Sequence, residues 1–334
     1  MDFTIILPRD MTRLQPRSHG NAQSHFSRRN WGNGMKQKLV LILILGYFLS
    51  GCDRPAKEDI SLESQEVVSP WAEDEATVKK MVDRFLVAAG NYDIEAMDEM
   101  ILDNANIGMS SLRDGQWANS SITISEFLES VKNRSGRPYY EPVNEYIVHI
   151  NEGQLAFVWA DAILHSFGVP RSRNIDIFTL VKIAGEWKFI NLSYTSNPLP
   201  EEQQLFDLEV FAKSYSQAWS GVRPEFVAMF FAEDGSLRIN DGEASVGRAA
   251  ITEVAQSFMT DLPDMVVRYD SLVKTDTGAN FYWTLLATNT GPGGTGNKVN
   301  VQGYEEWILS EDGLVQTSQG HFPSEEYARQ LKGE

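Results

Sequence analysis

Apolar residues recur at helical spacing in two places, first at Val78, Met81, Val82, Phe85, Leu86 and Ala89, then at Leu205, Leu208, Ala212, Tyr215 and Trp219. Each pattern predicts a helix that is followed by a second short helix, a hairpin-like stretch and a third helix. The third helices correspond residue for residue, with Ile124, Phe127, Leu128 and Val131 against Ile251, Val254, Ala255 and Phe258, an offset of 127. Alternating, aromatic-rich runs then predict four strands in each half, with Phe157 and Trp159 falling 124 residues before Phe281 and Trp283. Closing turns at Gly185-Glu186 and Asp312-Gly313 repeat the relation. A near-constant offset through so many elements indicates duplication of a domain-sized unit. The break at Asn197-Pro198-Leu199-Pro200 separates a first half, residues 74–197, from a second, residues 203–331. The expected class is α+β: two tandem units, each with three helices packed on a curved antiparallel sheet that keeps one concave face.

The stretch PEFVAMFFAEDGSLRINDGEASVGRAAI, from Pro224 to Ile251, frames a pocket between helices and sheet, and a weaker copy runs from Ile94 to Ile124. With WSGVR before it and TNTGPGGTGNKVNVQGYEEW after it, this half resembles the nuclear transport factor 2-like superfamily, which includes ketosteroid isomerases and SnoaL-like polyketide cyclases; the resemblance implies two tandem cone-shaped α+β barrels. The resemblance covers about Leu205 to Leu331; in the first half, about Asp74 to Tyr194, it rests on element order and the ending GEWKFINLSYT. Resemblance to the isomerases implies that Tyr215 and Glu305 hold an oxyanion. The place of the catalytic base falls on Ile239, with Asp241 two residues further along the hairpin. Tyr215 also continues an apolar stripe, so a core tyrosine with a satisfied hydroxyl is the commoner reading. A Glu305 carboxyl facing a pocket beside Trp307 and Val301 would be desolvated and its pKa raised. Resemblance to the cyclases implies a histidine near Asn289 and an acid near Pro323, which leaves His321 as the nearest titratable group. Trp219, Tyr282 and Trp307 are the expected pocket walls. Phe85 and Met109 take the tyrosine and base positions of the first half, which makes it the poorer candidate for chemistry.

The one long apolar run is Leu39 to Leu49, eleven residues preceded by Lys36 and Lys38, too short to span a bilayer and suited to a signal-peptide core. Leu49-Ser50-Gly51-Cys52 follows it and resembles a lipobox, which implies acylation of Cys52, the sole cysteine. Residues 1–34 then read as a disordered extension or a mis-assigned start, 35–51 as a lipoprotein signal peptide and 52–73 as a tether. Cleavage before Cys52 removes seven basic and two acidic residues and takes the net charge from −17 to −22. Such an acidic surface excludes nucleic acid as a partner and leaves the acyl chains as the membrane contact. By the same resemblance, Asp53 favours the periplasmic face of the inner membrane if the cell is Gram-negative. The run Gly291 to Gly296 lacks the Gly-Lys-Ser/Thr ending of a phosphate loop, and no His-Glu-x-x-His or Gly-x-Ser-x-Gly occurs. No cofactor or dedicated metal site is expected. The leading expectation is a lipid-anchored protein of the cell envelope whose second half binds a small apolar or cyclic organic ligand. The alternatives are an isomerase or cyclase acting on a cyclic ketone or polyketide, and an interaction module that pairs as a homodimer or with an envelope protein.

Overall fold

A computed structural model describes residues 69–134 and 136–334. The Leu39–Leu49 run, Cys52 and most of the 52–73 tether lie outside the described residues. Among the described residues no helix is long and apolar enough to cross a membrane.

The first half runs α1 (Ala72–Asn91), α2 (Ile94–Met100), β1 (Ile101–Arg113), β2 (Gln116–Thr123), α3 (Ile124–Lys132), β3 (Val143–Asn151), β4 (Leu155–Ser166), β5 (Val169–Ile183) and β6 (Glu186–Pro198). The second repeats it with α4 (Leu208–Trp219), α5 (Pro224–Ala228), β7 (Phe231–Ile239), β8 (Ser245–Val246), α6 (Gly247–Asp261), β9 (Val266–Lys274), β10 (Gly278–Thr288), β11 (Lys298–Leu309) and β12 (Val315–His321), and adds α7 (Ser324–Lys332). Each half forms a six-stranded sheet, ordered β2-β1-β6-β5-β4-β3 and β8-β7-β12-β11-β10-β9. Two tandem α+β cones are therefore present. Neither sheet is wholly antiparallel, because β1 pairs parallel with β6 and β7 parallel with β12. The third helix returns the chain across the sheet before the four-stranded meander begins, so the first and last strands run the same way.

Local chemistry sets the boundaries. A capping box closes the start of α3, with Thr123 accepting from the Glu126 amide and the Glu126 carboxylate accepting from the Thr123 amide. The helix α1 ends at Tyr92 in the left-handed region, φ 55°. The stripes at Val78, Val82, Phe85 and Leu86, and at Phe211, Ala212, Tyr215 and Trp219, face inward and seed two separate apolar cores. Hydrogen bonds join the halves: the Asn91 side chain donates to the Gln217 carbonyl at 2.9 Å, the Gln217 side chain donates to the Tyr139 carbonyl at 2.7 Å, and the Asp207 amide donates to the Gly168 carbonyl at 2.9 Å.

One sequence correspondence is out of register. Ala160 opposes Asp176 on β5, as Phe281 opposes Glu305 on β11, so Ala160 and not Phe157 is the counterpart of Phe281. Phe157 is 40% exposed and Phe281 fully buried. An error of three residues moves a strand's side chains to the other face, since their period is two.

Candidate functional site

The concave face of the second sheet and the helices packed on it enclose a cavity of about 60 Å³. Its wall is aromatic and aliphatic: Trp219 from α4, Phe258 from α6, Trp283 and Leu285 from β10, Ile239 from β7, and Phe322 and Tyr327 from the C-terminal end. The one carboxyl on that wall is Glu305.

Glu305 is 6% exposed. Its Oε2 accepts three hydrogen bonds, from the Tyr215 hydroxyl at 3.2 Å, the Trp307 indole N–H at 2.8 Å and the Ser318 hydroxyl at 2.6 Å. Three donors on one oxygen leave Oε1 as the atom offered to the cavity. Burial raises the Glu305 pKa, while the bonds from Ser318, Trp307 and Tyr215 oppose the rise. With Oε2 filled by donors, a proton on this carboxyl belongs on Oε1. Burial, followed by the adjacent Glu305, pushes the Tyr215 hydroxyl well above the usual phenol range. Tyr215 is enclosed by Trp307, Phe230 and Phe281 at ring-centroid distances of 5.3, 5.5 and 5.7 Å.

Of the residues singled out from sequence, Tyr215, Glu305 and Trp307 are brought together, and Trp219 lines the cavity. Trp307 itself lies beneath the wall, stacked on Phe281 at 4.8 Å. Tyr282 points to the opposite face of the sheet, stacked on Tyr304, because strand neighbours alternate; its neighbour Trp283 is the wall residue. A signal for Trp283 did exist in the sequence. Gly303 lies opposite it on β11, and a Cβ there would sit 2.5 Å from the Trp283 ring, so the glycine makes room for the indole. His321 also faces outward, stacked on Tyr304 at 4.6 Å. Asp241 is exposed: the strand ends at Ile239, Asn240 takes φ 48°, and the turn carries the carboxylate away from the hairpin face. Neither Asp241 nor His321 reaches the cavity, so neither supplies the base, and Ile239 keeps an apolar side chain at that place.

The first cone repeats the acid without its donors. Asp176 faces Tyr194 across β5–β6 as Glu305 faces Gly320 across β11–β12, and those partners face Met109 and Ile239 in turn. Phe178 opposes Leu192 where Trp307 opposes Ser318, and Phe85 packs on Phe178 where Tyr215 packs on Trp307. All three hydrogen-bond donors are thus replaced by hydrocarbon. Asp176 is 6% exposed, and its Oδ2 is buried with no hydrogen-bond partner. Beside it Glu141, 9% exposed, accepts from the Asn174 side chain. Burial, with repulsion from Glu141 and Asp161, pushes the Asp176 pKa up to about 8. Burial raises Glu141 to about 7 against the Asn174 bond. Sequence reading assigned Asp176 no role.

Comparison with known proteins agrees with this division. Residues 212–317 match the family model of a SnoaL-like domain, and residues 73–195 match one described as "Putative lumazine-binding". Together with the two six-stranded sheets, these matches are consistent with a nuclear transport factor 2-like α+β fold in both halves. No curated protein matches the chain. Among solved structures, a protein of ketosteroid isomerase-like fold from Catenulispora acidiphila shares 14% identity over 35% of this chain and 88% of its own, with a TM-score of 0.33. A phenazine biosynthesis-related protein from Pseudomonas aeruginosa shares 15% over 37% and 89%, with a TM-score of 0.31. An NTF2-like protein from Cytophaga hutchinsonii shares 15% over 36% and 97%, with a TM-score of 0.30.

Proposed function

We propose that the second cone binds a small apolar or cyclic organic ligand that carries one oxygen, a carbonyl or a hydroxyl, and docks that oxygen on Glu305 Oε1. The observation that carries this reading is the combination of an aromatic wall with a single carboxyl whose other oxygen is already saturated by Tyr215, Trp307 and Ser318. Apolar walls with a few convergent polar groups are the usual make-up of a small-molecule site. The SnoaL-like match over residues 212–317 supports a ligand of this class. The isomerase or cyclase alternative requires a base and a separate donor for the developing charge. Ile239 occupies the place of the base, and the Tyr215 hydroxyl is committed to Glu305, so binding is the better supported reading.

Trp219 and Trp283 both line the cavity and report on its contents. Titrating the purified full-length protein with cyclohexanone, 2-naphthol and a steroid ketone should change tryptophan emission, and Glu305→Gln should weaken the tightest of them by about tenfold. Absence of any response, with no small molecule found by mass spectrometry of the denatured protein, overturns the reading. The lipobox-like Leu49-Ser50-Gly51-Cys52 supports placing this binder on the outer side of a bacterial cytoplasmic membrane, held by acyl chains on Cys52. On that reading Cys52→Ser moves the protein from the membrane fraction to the soluble fraction, and continued sedimentation with membranes refutes the anchor.

A further inference from the structure

We propose that Glu141 and Asp176 form a second binding site, in the first cone, for a small protonated amine. The proposal is independent of the ligand assigned to the second cone. It starts from the contrast with Glu305: the same point of the same sheet carries a buried carboxyl in both halves, and only in the second half does the protein supply its donors. Asp176 Oδ2 is buried and unpartnered, and a second buried carboxyl, Glu141, stands beside it. Donors absent from the protein are what a ligand would bring. An ammonium group brings three, with a positive charge that suits two carboxylates.

The residues around the pair have chemistry that suits such a guest. Where the second cone places Phe281 and Trp283 opposite Glu305 and Gly303, the first places Ala160 and Ala162 opposite Asp176 and Asn174, so the sheet beside the acid lacks side-chain bulk. Tyr146 from β3, Tyr194 from β6 and Tyr139 from the segment before β3 lie close enough for their phenols to feel the carboxyls. Aromatic faces around a carboxylate are a suitable environment for an organic cation. Among the described residues no Lys, Arg or His forms an ion pair with Glu141 or Asp176. Arg173 is paired with Asp161 on the opposite face of the sheet; Arg134, beyond α3, bonds the Tyr92 hydroxyl and with Arg113 of β1 is near enough to act on the Tyr194 phenol, so these are the cations an incoming amine would share the site's surroundings with. Asp83 on α1 is taken by the Tyr146 hydroxyl. A metal fits less well. Among the described residues no group of three or more His, Cys, Asp or Glu side chains could hold an ion, and two carboxyls fall short of the six to eight oxygens that calcium takes. The strongly acidic chain, net −17, concentrates cations near it.

Charge balance gives the proposal its signature. Near neutral pH the pair holds protons in place of a counter-ion, and an incoming ammonium releases them. Isothermal titration of the full-length protein with methylamine, n-butylamine and phenethylamine, against n-butanol and 2-phenylethanol as neutral isosteres, tests this directly. Affinity for at least one amine should rise by roughly tenfold from about pH 6 to about pH 7 and level off above about pH 8, with proton release seen as a buffer-dependent heat. Asp176→Asn should lose about tenfold or more of the affinity and flatten the pH dependence, and Glu141→Gln should do so in part. Both replacements are near-isosteric, and circular dichroism verifies that they fold. The proposal is overturned if no amine of the set binds at about pH 8.5, if Asp176→Asn binds equally well, if the alcohols bind as tightly as the amines, or if magnesium or potassium displaces the amine stoichiometrically.

Discussion

Glu305 and Asp176 occupy equivalent positions in two copies of one fold, yet they live in opposite electrostatic circumstances. The second cone surrounds its acid with a phenol, an indole and a hydroxyl; the first surrounds its acid with Phe85, Phe178 and Leu192 and adds a second acid. Burial alone would drive both pKa values up. Only in the second cone do hydrogen bonds to the carboxyl resist that drive. A duplicated scaffold therefore fixes where a carboxyl sits, while the three residues packed around it decide what the carboxyl can do. In one cone it is a presented oxygen with a fixed orientation. In the other it is a proton store without a counter-charge.

The strongest way to break the comparison is to give the second cone the first cone's shell. Tyr215→Phe, Trp307→Phe and Ser318→Ala together strip Glu305 of its donors and leave a smaller ring under the wall. Each lost bond to a buried acceptor costs about 1–3 kcal/mol, and the truncated indole adds a cavity cost, so the triple variant should lose on the order of 4–6 kcal/mol. The three sites share one partner, so the sum of the single variants should differ from the triple. Chemical denaturation at neutral pH measures this. A loss below about 1 kcal/mol would show that the donors do not hold the carboxyl in place.

Much of the fold was legible because periodicity survives duplication. The stripes at Val78 to Ala89 and Leu208 to Trp219, the paired third helices and the turn at Asp312-Gly313 carried the architecture; Leu205, expected in the same stripe, lies before the start of α4 and is 71% exposed. The site was legible where a residue's role depends on what sits two positions away on the same face, as for Glu305 beside Trp307. It was illegible where a single-residue decision selects the face. Tyr282 and Trp283 are both aromatic, and composition cannot say which one points inward; only the pairing of Trp283 with Gly303 does. Asp241 was misplaced because alternation was carried past the end of β7 into a turn at Asn240, where the strand rule no longer applies. The Glu141–Asp176 pair was out of reach for another reason. Its members come from different segments brought together by the sheet, and Asp176 sits between Ile175 and Ile177 in a run that reads as ordinary strand.

Titration separates the two cones in a single experiment, with smaller effects than the triple variant. Glu141 and Asp176 have folded pKa values of about 7 and about 8, above their ordinary 4.5 and 3.8. The folded state therefore binds protons more tightly than the unfolded state. The stability tied to these protons is complete below the unfolded values near pH 4 and is lost as pH rises through about 7 to 8. The wild-type protein should weaken from about pH 5 to about pH 8.5. Asp176→Asn should flatten that slope and stabilise the protein at about pH 8 by on the order of 2 kcal/mol. Phe85→Tyr provides the finest gradation, since it places a phenol where Tyr215 stands in the second cone. Asp176 is one methylene shorter than Glu305, so the new hydroxyl should reach it poorly and lower its titration midpoint, followed by carboxyl carbon-13 resonances, by no more than about one pH unit. A midpoint unmoved by Phe85→Tyr and by a further Asp176→Glu change that restores the missing length would mean that the two acids are equivalent in strand register but not in the direction their carboxyls take.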